Sequence, residues 1–248
     1  MTEEAGQGSL ITAVTAFATE LHDLLVAVLP GAPSPFEVVV AEGDDPHIIV
    51  RQTPVEGVPL TVDGEPVLRL TARFRCSWDS AKKYLAVRES TLGIRAETSD
   101  EPLFRYDYLA DCDGKIPAAH LNVHSHRDEV VFAMMVAGLR HRGRSRSAQV
   151  RDGKVPRLAT LHFPLGGHRF RPSLEDLLEM VVREFGLDTE PTWEDALRKG
   201  RARWRDKQLR AAVRDDPASA ADILRTLGYG IRDPKTPISP RLDRIEAL

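Results

Sequence analysis

The amino-acid sequence predicts an α+β fold, an antiparallel sheet covered on one face by helices, with a helical C-terminal extension. Three observations carry that expectation. An apolar stripe of helical spacing opens the chain, short β-branched runs separated by turn residues fill residues 36–126, and helical patterns return afterwards. Strands at such close spacing pair antiparallel, because parallel neighbours need long crossovers. A sheet packed on one side keeps its other face wet and able to carry polar side chains.

In chain order, Leu10, Val14, Phe17, Leu21, Leu24 and Val28 recur every three or four residues and predict an amphipathic helix that ends before Pro30. The turn-rich break "GAPSP" follows. The runs "FEVVVAE", "HIIVRQ", "PLTV", "VLRLTARFRC", "LGIRAE", "LFRYDYLA" and "AAHLNVHSH" then read as strands, with "DDP", "VDGEP" and "DCDGK" supplying turns. "RDEVVFAMMVAGL" reads as a helix, the basic serine-containing stretch after it as an exposed loop, and "RLATLHF" as a further strand. Ser173 is the expected N-cap of the clearest helix: Glu175 and Asp176 suit its positive end, Leu174, Leu177, Leu178, Val181, Val182 and Phe185 form its buried stripe, and Gly186 stops it. Helical patterns continue through Trp193, Trp204 and "DPASAADILRTLGYGI". The chain therefore divides into an α+β domain over 1–187 and a basic helical extension over 188–248.

The net charge of −3 is unevenly spread. Residues 1–66 carry eleven acids against Arg51 alone, a balance of −10, which leaves +7 for the rest. Seven Lys/Arg stand against one acid in 140–157, and eight against three in 194–214. Such clusters gain from neutralising phosphate, so nucleic acid is the expected polyanionic partner; the plainer reading is that charge runs are solvated faces. Cys76 and Cys112 make neither a disulfide framework nor a structural zinc set. The acidic, polar start "MTEEAGQGSL" lacks a signal-peptide pattern, and no apolar run approaches the roughly 20 residues that span a bilayer. A cytoplasmic protein without a membrane partner is the expectation. The first apolar stripe fits either the core or the pairing of two subunits into a homodimer.

The stretch "HLNVHSH" bears most on function. On a strand, His120, Asn122, His124 and His126 form one row, and Leu121 and Val123 point to the opposite face. Residues two apart on one face are separated by about 6.8 Å, so a single site has to recruit from neighbouring segments. The leading expectation is RNase-like cleavage of a phosphodiester. In it His124 and His126 transfer protons, and His162, Arg105 and Asp107 complete the catalytic set. His120, Asn122, His168, Arg169 and Arg171 contact substrate. Histidine suits this work because both protonation states exist near neutrality, and arginine stabilises charge developing on phosphate. Two alternatives stand beside it: a non-catalytic module that binds nucleic acid or protein, and a metalloenzyme in which His124 and His126 ligate an ion that acts on a small molecule. Tyr106 and Tyr108 fit either base stacking or core packing. The residue pattern names no cofactor.

The order "RYD" (Arg105 to Asp107), "HLNVHSH" and then "PSLEDLLE" opening a helix resembles the TumE-type toxins of two-gene toxin–antitoxin pairs, over about residues 90–185. This chain differs in placing a helix, a basic segment and a strand between the histidines and "PSLE", and in its acidic N-terminal and basic C-terminal portions. The resemblance implies an intracellular growth inhibitor that acts on nucleic acid and is neutralised by a protein antitoxin, with Arg105, Asp107, His124 and His126 as the important residues. The "HSH" of the JAMM metalloproteases is also similar, but the serine those proteins need afterwards is missing from "RDEVVFAMMV".

Overall fold

The structure, a computed structural model, describes residues 2–41, 47–79, 82–111, 118–124, 127–154 and 171–245. Helix α1 (Thr2–Val28) is followed by strands β1 (Glu37–Ala41), β2 (His47–Arg51), β3 (Val58–Val62), β4 (Glu65–Trp78), β5 (Leu85–Ala96), β6 (Pro102–Leu109) and β7 (Ala119–Val123). Helices α2 (Arg127–Met135), α3 (His141–Arg151), α4 (Leu174–Phe185), α5 (Trp193–Asp215), α6 (Pro217–Thr226) and α7 (Leu242–Ile245) complete the described elements. The fold is α+β. Its sheet runs β1-β2-β4-β5-β6-β7, with β3 beside β4, and every pairing among the described residues is antiparallel. The long β4 pairs with β3 through its first half and with β2 through its second.

Alternation along the strands divides the sheet into two faces. Ile48 and Val50, then Leu68, Leu70, Ala72 and Phe74, then Leu92 and Ile94, then Phe104 and Tyr106 are buried on one of them. Against this inner face lie Val14, Leu21, Leu25 and Val28 of α1 and Leu177, Leu178, Val181 and Phe185 of α4, all in one core cluster. Phe17 meets Phe74 edge-on at 5.2 Å. Each such side chain contributes about 1.5–3 kcal/mol on burial, so the apolar rows hold the register far more firmly than any surface ion pair does.

The helix expected after Ser173 forms as read. Ser173 Oγ accepts from the Asp176 N–H, and the Asp176 carboxylate accepts from the Ser173 N–H, a reciprocal cap. Gly186 ends α4 with φ at 66°, and a Cβ there would lie 2.8 Å from the Gly138 carbonyl oxygen, so only glycine fits.

Two sequence expectations need correction. The basic stretch after residue 140 is helical in α3, where Arg146 is buried and ion-paired with Glu184 of α4. Neutralisation by a carboxylate on α4 lets an arginine from an exposed-looking segment pack inward. Also, Ser9–Val28 of α1 is long and apolar enough, by length and composition alone, to cross a membrane, with a mean hydropathy of 1.5. Glu20 and Asp23 interrupt its apolar run, so a search for unbroken runs misses it. The same helix supplies residues to the core.

Beyond residue 187 the core continues. Trp193 and Leu197 of α5 belong to the same cluster as the sheet, and Lys207 pairs with Glu20 of α1 at 2.6 Å, whereas α6 buries no residue. Asp188 fastens this junction to the sheet. Its carboxylate accepts from the Thr61 hydroxyl at 2.8 Å and from the N–H groups of Asp63 and Gly64 at 3.2 and 2.8 Å, in a turn where both residues have positive φ.

Burial works against the Asp188 charge, but the bonds from Gly64, Thr61 and Asp63 and the nearby Arg140 outweigh it and hold the carboxyl below its ordinary value. A depressed folded-state pKa stabilises above the unfolded value, about 3.9, and that gain is lost as pH falls through the folded value. Asp188→Asn should therefore unfold at lower urea than the wild type at pH 7, with the gap narrowing steadily below pH 4. Urea midpoints across that range check this, and a gap independent of pH would contradict it.

Candidate functional site

Register carries one polar row across the outer face of the sheet. Arg51, Arg73, Thr91, Asp107 and His120 are successive cross-strand partners from β2 to β7, and the adjoining row brings Thr71, Gly93, Arg105 and Asn122 together. Asp107 is the acceptor that gathers this end. Its Oδ2 receives Arg105 Nε and Asn122 Nδ2, each at 2.7 Å, and lies 3.9 Å from His120 Nε2. The Asp107 side chain is only 11% exposed and that of His120 18%, so their mutual field is poorly screened by water. Further along, Arg51 pairs with Glu37, Arg69 with Glu97 and Arg75 with Glu89. Arg73 is exposed and has no ion pair among the described residues.

The inner face of the same strands holds a cleft of about 220 Å³, lined by Ser90, Leu92, Tyr106, Tyr108 and Ala119, by Arg171 and Pro172 of the segment entering α4, and by Asp107 and His120. The Arg171 guanidinium sits 3.8 Å from the Tyr108 ring centre and 5.7 Å from that of Trp204 in α5. Burial pulls the Arg171 pKa below its ordinary value; Tyr108 opposes that shift and Arg244 adds to it. The group stays cationic, since arginine does not deprotonate in proteins. Burial, reinforced by the charge of Asp176, raises the Tyr106 phenol well above its usual range, so it is a neutral donor. Its hydroxyl is buried and has no hydrogen-bond partner among the described residues.

Comparison with family models, with curated proteins and with solved structures gives no match.

Four of the residues singled out by sequence, Arg105, Asp107, His120 and Asn122, come together around one carboxylate, and Arg171 lies in the adjoining cleft. His124 does not join them. β7 ends at Val123, and His124 is exposed just beyond it, with its backbone N–H donating to the Leu103 carbonyl at 3.0 Å. His126, His162, His168 and Arg169 lie outside the described residues, as does Cys112. Cys76 is buried in the sheet, where burial pushes its thiol up to about 12 and leaves it a packing residue. Among the described residues no three His, Cys, Asp or Glu side chains are grouped to hold a metal ion.

Sequence reading missed the inner-face cleft. Tyr106 and Tyr108 alternate with Asp107, which places them on the opposite face from the histidine row, and only the packing of residue 171 against Tyr108 reveals that both faces contribute. A double-mutant cycle of Tyr108→Leu and Arg171→Met, followed by urea denaturation, should give a coupling of about 1–2 kcal/mol, the range for a partly desolvated cation over an aromatic face. Additive effects would show that the stack contributes nothing.

Proposed function

We propose that the chain binds and cleaves a phosphodiester at the β6–β7 edge, with His120 rather than His124 transferring the proton. The observation that carries this reading is the Asp107 carboxylate, mostly withdrawn from water, held by Arg105 and Asn122 and facing His120 Nε2 at 3.9 Å beside a cleft that contains a cation. A fixed carboxylate orients an imidazole and stabilises the imidazolium that forms once it takes a proton. His120 then accepts a proton from a ribose 2′-hydroxyl or a water, whose oxygen bonds to phosphorus as the bond to the leaving 5′-oxygen breaks; the imidazolium gives its proton to that leaving oxygen, and Arg171 neutralises charge developing on the phosphoryl oxygens. The likeness of "RYD" and "HLNVHSH" to the TumE-type toxins supports the same substrate class and, with it, an intracellular growth inhibitor restrained by a protein antitoxin.

The competing reading, nucleic-acid binding without turnover through the basic face of α5, is weakened by how much of that charge is already paired. Arg198 and Lys199 engage Asp195, Arg201 engages Asp176 and Glu179, Lys207 engages Glu20, and Arg210 engages Asp206. With a mixed-sequence RNA as substrate, His120→Ala should lose cleavage by about 10²-fold or more, the usual contribution of general acid–base catalysis. His124→Ala should stay within a few-fold of wild type, with circular dichroism confirming that both variants fold. Undiminished cleavage by His120→Ala, or salt-dependent RNA binding by the wild type with no cleavage at all, would sink the proposal.

A further inference from the structure

We propose that the inner-face cleft is a binding site for a phosphate group, with the Arg171 guanidinium as counter-cation and the Tyr106 hydroxyl as hydrogen-bond donor. Two independent observations point to a ligand there. Arg171 is stacked on Tyr108 and faces Trp204, yet among the described residues no carboxylate or carbonyl oxygen accepts from it, and Arg244 acts on it as a second cation. Tyr106 is 4% exposed and lines the same cleft, and its hydroxyl is unpartnered among the described residues, whereas buried polar groups are nearly always satisfied.

The surrounding charges permit an anion. Asp176, whose field reaches Tyr106, has its carboxylate engaged by Arg201 Nε at 2.9 Å and by the Ser173 N–H at 3.0 Å. Arg244 is held only loosely by Asp111 and Asp243, each at 3.6 Å. Stacking fixes the plane of the Arg171 fork, whose N–H edge has the geometry to match the paired oxygens of an oxyanion.

Size and shape narrow the ligand. About 220 Å³ falls below the 300–1,000 Å³ usual for drug-sized molecules, so the cleft accepts a phosphate and a short stub but not a whole nucleotide. The guanidinium already covers the Tyr108 ring, so that face is not open for stacking a base. The phosphate comes either from solution or from the end of a nucleic acid; only the second source rests on the phosphodiester reading above.

Calorimetric titration of the full chain with inorganic phosphate tests the site directly. Saturable binding is expected, weakened at least tenfold by Arg171→Gln and a few-fold by Tyr106→Phe. Without phosphate, Tyr106→Phe should melt no lower than wild type, because it removes an unsatisfied hydroxyl. No saturable binding, binding unchanged in both variants, or a lowered phosphate-free melting temperature for Tyr106→Phe would overturn the site. Competition by a short 5′-phosphorylated RNA, but not by the same RNA lacking the phosphate, assigns the site to a nucleic-acid end. Binding of inorganic phosphate with no competition from either RNA keeps the site and detaches it from the cleavage reading.

Discussion

The alternation of side chains along β6 is the constraint on which the rest depends. This strand is paired on both sides, with β5 and with β7, so its two rows are committed to opposite faces. Phe104 and Tyr106 enter the core, and Arg105 and Asp107 face outward. A slip of one residue would bury Arg105 and Asp107 and expose two aromatic rings, a change far more costly than any single polar contact at the site could offset. The register is therefore set by the hydrophobic rows, and the polar cluster inherits its geometry from them.

That inheritance explains why the site sits where it does. Moving from the centre of the sheet toward β7, inner-face burial falls from Leu70 and Ile94, which are fully enclosed, to Leu121, which is only partly covered. Where the helices stop covering the sheet, Arg171 and Pro172 come down beside Tyr108 and leave a cleft in place of continuous packing. The outer-face cluster at Asp107 and the inner-face cation Arg171 thus meet at the β6–β7 edge of the sheet. The reciprocal cap at Ser173 fixes the start of α4 immediately after these two residues, which ties the position of the guanidinium to the helix.

Much of this was legible in the residues. The end of α1 before Pro30, the strand runs, the Ser173 cap and the Gly186 stop are local signals, and each depends on backbone chemistry within a few residues. The shared face of His120 and Asn122 followed from period-two alternation alone. What could not be read depends on partners distant in the chain. The burial of α3 through Arg146 involves Glu184, 38 residues away. The exposure of His124, just past the end of β7 at Val123, depends on how far the sheet extends along β6. The inner cleft depends on residue 171 returning to Tyr108, a contact that no spacing rule announces.

The central claim, that ligand recognition is concentrated at the β6–β7 edge and not on the basic helix, is tested most directly by nuclear magnetic resonance. ¹⁵N-labelled protein would be titrated with a non-cleavable RNA dinucleotide and its amide shifts followed. The account predicts that the amides of Asp107, Tyr108, His120 and Arg171 move together with one binding isotherm. Shifts confined to the exposed face of α5, with those four amides unmoved, would contradict it.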